Sequence, residues 1–156
     1  MDQYAVIGHP IKHSRSPWIH SQFARTCEET IEYGLLESEP TSEAFLETIH
    51  QFISGGGKGV NVTMPFKEMA WDMAEELTER ATLAGAVNTL TFSEGGKISG
   101  DTTDGVGLVN DLAVNMKIAL KHKKILILGA GGAVKGVLQP LLAHNPDILH
   151  IVNRTV

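Results

Sequence analysis

A lysine just beyond a short polar strand is the first candidate for chemistry in this sequence. Residues 59–68 have the sequence GVNVTMPFKE. Their alternation predicts a strand that presents Asn61 and Thr63 on one side, and Pro65 predicts the first turn of a helix that contains Lys67. Polar groups at the carboxyl end of a strand are where open α/β sheets bind ligands. Taken alone, Lys67 could also be a solvated surface lysine.

A second polar cluster supplies an amide and a carboxylate. Asn88 falls within a predicted strand over residues 86–92, where asparagine is depleted, and a satisfied buried amide is the alternative explanation for it. Asp104 lies in the polar turn GDTTDG, residues 100–105, where it could simply cap the next helix. Set beside Lys67, however, this carboxylate could hold a substrate hydroxyl and help to move its proton.

Two serines precede the first predicted helix. Ser16 comes directly before a proline and is the natural N-cap, and Ser14 suits a turn. Equally, two hydroxyls beside a helix N-terminus could bind an anion such as a carboxylate. Spacing alone leaves both interpretations open.

A glycine-rich turn follows a wholly apolar strand in residues 125–134, ILILGAGGAV. Strand, glycine turn and a helix over 134–142 predict the opening of a dinucleotide-binding βαβ unit. Gly129 and Gly131 allow a tight turn and the close approach of a pyrophosphate to the helix. Val134 departs from the general fingerprint, which has glycine or alanine at this third position.

The second strand of this unit, residues 148–152, is followed by Asn153, Arg154 and Thr155. An NAD site favours an acid at this place, whereas Arg154 suits the 2′-phosphate of NADP. An acid would also be expected at Asn153 in a methyltransferase, so the sequence disfavours that use of the glycine loop.

The elements that must position these residues alternate between strands and helices, which predicts an α/β fold. Beyond those named above, strands are predicted at 4–7, 32–36 and 98–100. A basic linker over 117–124 separates a first domain of about one hundred residues from the glycine-rich unit. Further helices are predicted from Pro17, from Thr41 or Ser42 to residue 53, at 78–83 and at 106–112.

Composition narrows the class of protein. The 156 residues are 42% hydrophobic and 20% charged, which is typical of a soluble globular chain. A net charge of −5 disfavours binding to nucleic acid or to an anionic membrane. One cysteine, Cys27, excludes an internal disulfide and fits a reducing cytoplasm. We predict no signal peptide, no membrane span and no metal site.

The chain resembles the N-terminal portion of the shikimate dehydrogenase family over essentially its whole length. The blocks GHPIKHSRSPWIH, GKGVNVTMPFKE, LAGAVNTL and GDTTDGVGL carry the resemblance, together with GAGGAVKGV and NRT. It implies NADPH-dependent reduction of 3-dehydroshikimate to shikimate in the biosynthesis of chorismate and the aromatic amino acids. It also implies a mixed-sheet substrate-binding domain, residues 1–102. A connecting helix and the first βαβ unit of a Rossmann-like domain, residues 103–156, would follow.

The resemblance also implies a role for each motif residue. Ser14 and Ser16 match the pair that holds the substrate carboxylate. Lys67 matches the catalytic lysine, and we expect Asp104 to be its partner. The residues that match those around the substrate hydroxyls are Asn61, Thr63, Asn88 and Asp104. The matches to the cofactor site are Gly129, Ala130, Gly131, Gly132 and Ala133 at the pyrophosphate and Asn153, Arg154 and Thr155 at the adenosine phosphate.

Two features depart from the family pattern. Thr102 stands where the family usually has asparagine, and a hydroxyl can replace one amide hydrogen bond but not two. The chain also supplies only two strands of a dinucleotide fold that has about six, so we expect a truncated fragment that is inactive and self-associates through its open edge. The alternatives are a non-catalytic binding fragment for a shikimate-like hydroxy acid and a quinate-using, NAD-dependent relative.

Overall fold

A computed structural model describes residues 1–154 of the chain, and within these residues it contains two sheets. The strands of the first sheet are β1 (Asp2–Gly8), β2 (Ile31–Glu37), β3 (Gly57–Val62), β4 (Glu76–Leu77), β5 (Thr89–Phe92) and β6 (Ile98–Asp101). The second sheet has β7 (Lys124–Leu128) and β8 (Ile148–Val152). The α-helices are α1 (Ser16–Thr26), α2 (Ser42–Ser54), α3 (Lys67–Met73), α4 (Glu79–Ala84), α5 (Asp104–Asn110) and α6 (Gly132–Ala143). A π-helix, Asp111–Asn115, directly follows α5.

The first sheet is mixed, with the strand order β2-β1-β3-β5-β6-β4. Strand β1 runs parallel to both β2 and β3, and β5 runs antiparallel to both β3 and β6. The second sheet is a parallel pair joined through α6, which is one βαβ unit. The predicted α/β fold, with a mixed sheet followed by a βαβ unit, is confirmed.

The main core lies on one face of the mixed sheet, beneath α2 and α3. Phe45 from α2 stacks on Phe66 with ring centroids 5.1 Å apart, and both rings are fully buried. Val60 and Val62 of β3 are buried in the same core. Asn61 and Thr63 alternate with these valines and are only partly buried. The predicted alternation of this strand is therefore confirmed.

Three local features differ from the sequence-based expectations. Pro65 lies in the turn before α3, so the predicted helix begins at Lys67, which is in its first turn as predicted, and not at the proline. Asn88 lies in a bend just before β5, because regular pairing begins at Thr89. Strand β4, for which the sequence patterns predicted no strand, pairs with β6 and completes the edge of the sheet.

The βαβ unit packs against the mixed-sheet domain through α5 and α6. At Gly105 a methyl group would lie 2.3 Å from the Gly136 carbonyl oxygen and 2.6 Å from Cγ of Pro140. The close approach of these helices therefore requires glycine at position 105. Within residues 1–154, no helix has the length and apolarity needed to span a bilayer.

We predict that Gly105→Ala destabilises the chain by about 3 kcal/mol, because the new methyl group meets backbone atoms that cannot rotate away. Gly107→Ala is the matched control in the same helix, since a methyl group there meets nothing within 4 Å. It should leave the free energy of unfolding unchanged or raise it by up to about 1 kcal/mol. Urea unfolding of both variants measures the difference, and equal stabilities would contradict the packing described here.

Candidate active site

Lys67 and Asp104 form an ion pair at the starts of two helices. Nζ of Lys67 lies 2.5 Å from Oδ2 of Asp104, and the two side chains are 15% and 31% exposed. The carboxylate lies in the first turn of α5, where the helix dipole favours negative charge. The ammonium begins α3, where the dipole is unfavourable. The carboxylate of Asp104 therefore offsets the unfavourable interaction between the Lys67 ammonium and the dipole of α3.

Asn88 braces the carboxylate of this pair. Its Nδ2 donates to Oδ1 of Asp104 at 2.8 Å and to Oγ1 of Thr103 at 2.9 Å. Its Oδ1 accepts from the backbone N–H of Thr103 at 3.1 Å. Asn88 is thus a satisfied buried amide, as the structural interpretation held, and it also contacts the partner of Lys67. The interpretation of Asn88 as a buried amide and its place in the candidate site are therefore compatible.

Neither Ser16 nor Asp104 caps its helix, so the capping interpretation of both residues is wrong. Asp104 is the first residue of α5, and the side chain of Thr103, at the cap position, accepts no hydrogen bond from the N–H groups of that helix. Ser16 is likewise the first residue of α1, preceded by Arg15 at the cap position. Each side chain lies one position too late to cap its helix, so its oxygen atoms are used elsewhere.

Ser14 and Ser16 lie together before α1. Oγ of Ser14 donates to Oγ of Ser16 at 3.1 Å, and the backbone N–H of Ser16 donates to Oγ of Ser14 at 3.3 Å. This local bond confirms Ser14 as a turn residue. It also holds two adjacent hydroxyls at a helix N-terminus, an arrangement that suits an anion.

Asn61 is held by two residues that the sequence patterns did not single out. Oη of Tyr33 donates to Oδ1 of Asn61 at 2.6 Å, and Nδ2 of Asn61 donates to Oγ1 of Thr89 at 3.4 Å. Both partners come from strands, β2 and β5, in which tyrosine and threonine are common. In the sequence, the one feature that could have pointed to Thr89 is its position next to Asn88.

A cavity of about 260 Å³ separates the lysine from the glycine loop. Thr63 and Lys67 line one side of it, and residues 131–133 line the other. A methyl group on Gly132 would lie 3.4 Å from Cβ of Lys67. The structure therefore brings Thr63, Lys67 and the predicted pyrophosphate loop to one cleft.

The glycine loop has the geometry that its sequence predicts. Gly129 has a φ of 109°, a left-handed conformation that favours glycine. Helix α6 begins at Gly132, two residues before the predicted start, and its first turn carries no acidic residue. The first N–H groups of a helix have no partner within it, so those of 132 and 133 can meet an anion.

The residues after β8 lie at the same edge as the glycine loop. The N–H of Gly129 donates to the carbonyl oxygen of Val152 at 2.7 Å, which ties the ends of the two strands together. Asn153 and Arg154 follow directly and are exposed. Thr155 lies outside the described residues.

Thr102, the departure from the family motif, is buried beneath α6. A methyl group on Gly136 would lie 3.0 Å from its Oγ1. The neighbouring Thr103, by contrast, bonds Asn88 directly. Position 102 therefore contributes packing between the domains, while position 103 braces the site.

A second ion pair fixes the strand that leads into this motif. Arg80 donates to both carboxylate oxygens of Asp101, with Nε to Oδ1 at 2.7 Å. Thr78 also donates to Oδ1 at 2.7 Å. The hydrogen bond from Arg80, with those from Thr78 and the backbone of Thr102, lowers the pKa of Asp101 to about 2.

Comparison with known proteins places this α/β chain, with its mixed sheet and βαβ unit, in a family of dehydrogenases. Residues 6–90 match the family described as the shikimate dehydrogenase substrate binding domain. The chain therefore belongs to the shikimate dehydrogenase family.

Relatives and solved structures extend the match along the chain. The NADP(+) shikimate dehydrogenase of Hahella chejuensis is 53% identical over 100% of this chain and 57% of its own length. That of Laribacter hongkongensis is 56% identical over 98% of this chain and 55% of its own length. This chain thus spans a little more than half the length of the curated relatives it matches.

Two crystal structures illustrate the structural similarity. The Aquifex aeolicus shikimate dehydrogenase has a TM-score of 0.90 and 35% identity, over 99% of this chain and 56% of that one. The Thermus thermophilus enzyme, in complex with NADP(H) and shikimate, has a TM-score of 0.88 and 32% identity, over 99% and 57%.

We predict that Asp101→Asn lowers the free energy of unfolding by about 1–2 kcal/mol near pH 7. Because the folded-state pKa of Asp101 is depressed, its contribution is complete above the unfolded value of about 3.9. The contribution disappears as pH falls through about 2, so the two stability curves should converge there. Glu76→Gln, which removes the exposed pair with Lys97, should change stability by less than about 0.5 kcal/mol. A constant gap down to pH 2 would contradict the assignment.

Proposed function

We propose that this chain carries the substrate site of an NADPH-dependent shikimate dehydrogenase, an oxidoreductase of aromatic amino-acid biosynthesis. The reaction would be the reduction of 3-dehydroshikimate to shikimate. The observation that carries this proposal is the 2.5 Å contact between Lys67 and Asp104, beside a cavity lined on its other side by the glycine loop. Relatives described as NADP(+) shikimate dehydrogenases support it.

The substrate would lie between the two serines and the ion pair. Ser14 and Ser16 offer two hydroxyls that can donate to a carboxylate. At the other end the ring hydroxyls would meet groups that can donate or accept, which are Asn61, Thr63, Asn88 and Asp104. We assign residues 1–102 to this substrate-binding domain and 103–156 to the connecting helix and cofactor-binding part.

Lys67 would act as the acid and base. The chemistry that NADPH would supply when bound is a hydride for the ring carbonyl. The ammonium of Lys67 has three N–H donors, and Asp104 accepts one of them. A second can donate to the carbonyl oxygen, stabilise the negative charge that develops there and deliver the proton. Asp104 keeps Nζ in position and sustains its charge.

The residues present fit a phosphorylated dinucleotide. N–H groups at the start of α6 suit a pyrophosphate because the helix carries no acid in its first turn. The assigned loop is Gly129, Ala130, Gly131, Gly132 and Ala133. Arg154 suits the 2′-phosphate, with Asn153 and Thr155 beside it, and favours NADPH over NADH. A quinate-using relative that prefers NADH is the alternative on this point.

The 156-residue chain would bind substrate without turning it over, since it carries one βαβ unit of the cofactor domain. That inactive, binding role is the second candidate function, and mixing the chain with NADPH and 3-dehydroshikimate separates it from catalysis. We propose a cytoplasmic location, where the exposed free thiol of Cys27 stays reduced. Small molecules, and neither nucleic acid nor membrane, would be its ligands.

We predict that Lys67→Ala lowers turnover by about 10²–10⁴-fold in a form with a complete cofactor domain, because the proton donor is lost. Lys58→Ala, at the start of the same strand–turn–helix segment, is the control and should keep turnover within about twofold. NADPH oxidation measured with 3-dehydroshikimate gives the rates. Near-normal turnover in the Lys67 variant would remove this residue from the mechanism.

We also propose that the chain self-associates through the outer face of β7 and β8. Leu126 and Leu128 are 62% and 76% exposed, and Leu128 pairs with the exposed Val152. Contiguous apolar surface and open strand edges recruit other chains.

We predict that replacing Leu126 and Leu128 by serine lowers the apparent mass in light scattering towards that of a monomer. Val114→Ser, an exposed valine elsewhere, should not change it. A wild-type chain that is monomeric at high concentration would refute self-association.

A further inference from the structure

The hydrogen bonds behind the ion pair form one continuous chain. Its members, in order, are Tyr33, Asn61, Thr89, Asn88, Asp104 and Lys67. Consecutive heavy-atom distances along the first three links are 2.6, 3.4 and 2.9 Å. This series of hydrogen bonds crosses the sheet from β2 to the start of α5.

The direction of each hydrogen bond in this series is fixed by groups that can only donate or can only accept. Asp104 can only accept, so Asn88 must turn Nδ2 towards it. The backbone N–H of Thr103 can only donate, so Oδ1 of Asn88 must face that group. Thr89 therefore has to donate its single hydroxyl hydrogen to the same Oδ1. It can then only accept from Asn61.

The orientation of Asn61 follows. Its Nδ2 faces Thr89, its Oδ1 faces Tyr33, and the phenol of Tyr33 has to be the donor. One hydrogen of Nδ2 goes to Thr89 and the other is available to a ligand oxygen. Without the phenol, Oδ1 of Asn61 loses its donor, and one of the two hydrogen bonds that hold the amide in this orientation is gone.

We propose that Tyr33 is a positioning residue that makes Asn61 present an N–H, and not a carbonyl oxygen, to the substrate. This inference rests on the proposed function for the identity of the substrate. It assigns Tyr33 no contact with the substrate or with reacting atoms.

His20 holds the Tyr33 ring from the side of the serines. The two rings stack at 4.0 Å with 14° between their planes. Nδ1 of His20 lies 2.9 Å from the backbone carbonyl oxygen of Ser16, so the same imidazole contacts the segment assigned to the substrate carboxylate. Tyr33 is thereby fixed relative to both ends of the site. Burial also raises the pKa of Tyr33, so its hydroxyl stays protonated and able to donate.

The test is Tyr33→Phe, which removes the hydroxyl and keeps the stacked ring. The control is Tyr4→Phe. Tyr4 pairs with Tyr33 across β1 and β2, and both tyrosines line one cavity of about 530 Å³. Calorimetry with shikimate on the 156-residue chain should give about tenfold weaker binding for Tyr33→Phe, as for one lost positioning bond. Tyr4→Phe should stay within about twofold of wild type.

A double-mutant cycle separates positioning from general destabilisation. If Tyr33 acts through Asn61, then Tyr33→Phe should cost nothing further in an Asn61→Ala background. Full additivity of the two losses, or unchanged affinity in Tyr33→Phe, would overturn the proposal.

A readout that needs no ligand keeps the proposal testable on its own. In the free chain, the side-chain amide resonances of Asn61 should move in Tyr33→Phe and remain in place in Tyr4→Phe. Unchanged Asn61 resonances in Tyr33→Phe would overturn the positioning role. If the wild-type chain fails to bind shikimate, the proposed function fails, and the resonances still decide the role of Tyr33.

Discussion

The acceptor-only carboxylate of Asp104 is the group on which the candidate site depends. An ammonium withdrawn from water needs a partner, and Lys67 finds it on one carboxylate oxygen while Asn88 occupies the other. Because a carboxylate can only accept, it orients each amide and hydroxyl behind it in turn. The pair also joins α3 and α5, two helices that leave different strands of one sheet, so its formation fixes two connections relative to each other.

The cleft depends on a second constraint, the close contact between α5 and α6. Gly105 lets the backbone of α6 approach at Gly136, and Thr102 lies beneath the same place. This contact holds the glycine loop opposite Lys67. Glu68 and Lys135 span the same gap with a 2.8 Å ion pair. The residues proposed to hold the substrate and those proposed to hold the cofactor are thus kept in one cleft by helix packing, and not by the strands that precede them.

Much of the fold was predictable because its patterns are local. Alternation in residues 59–68 predicted which side of β3 is buried, and the apolar strand before Gly129 predicted the βαβ unit. The errors are also local. Capping was one of two interpretations for Ser16 and for Asp104, yet each begins its helix one residue later than a cap does. A proline or a polar turn predicts the start of a helix only to within one residue. A shift of one residue decides whether a side-chain oxygen caps the helix or faces the site.

The sequence by itself determined the fold class, the family and the residue types available for chemistry, because periodicity, turn residues and motifs are written along the chain. Tertiary structure alone decided which of those residues meet. Lys67 and Asp104 are brought together by the sheet, and Tyr33 reaches Asn61 across β1, which lies between their strands. Tyrosine and threonine carry no distinguishing signal in a strand. Their roles follow from which donor faces which acceptor, and that is set only when distant strands take their register.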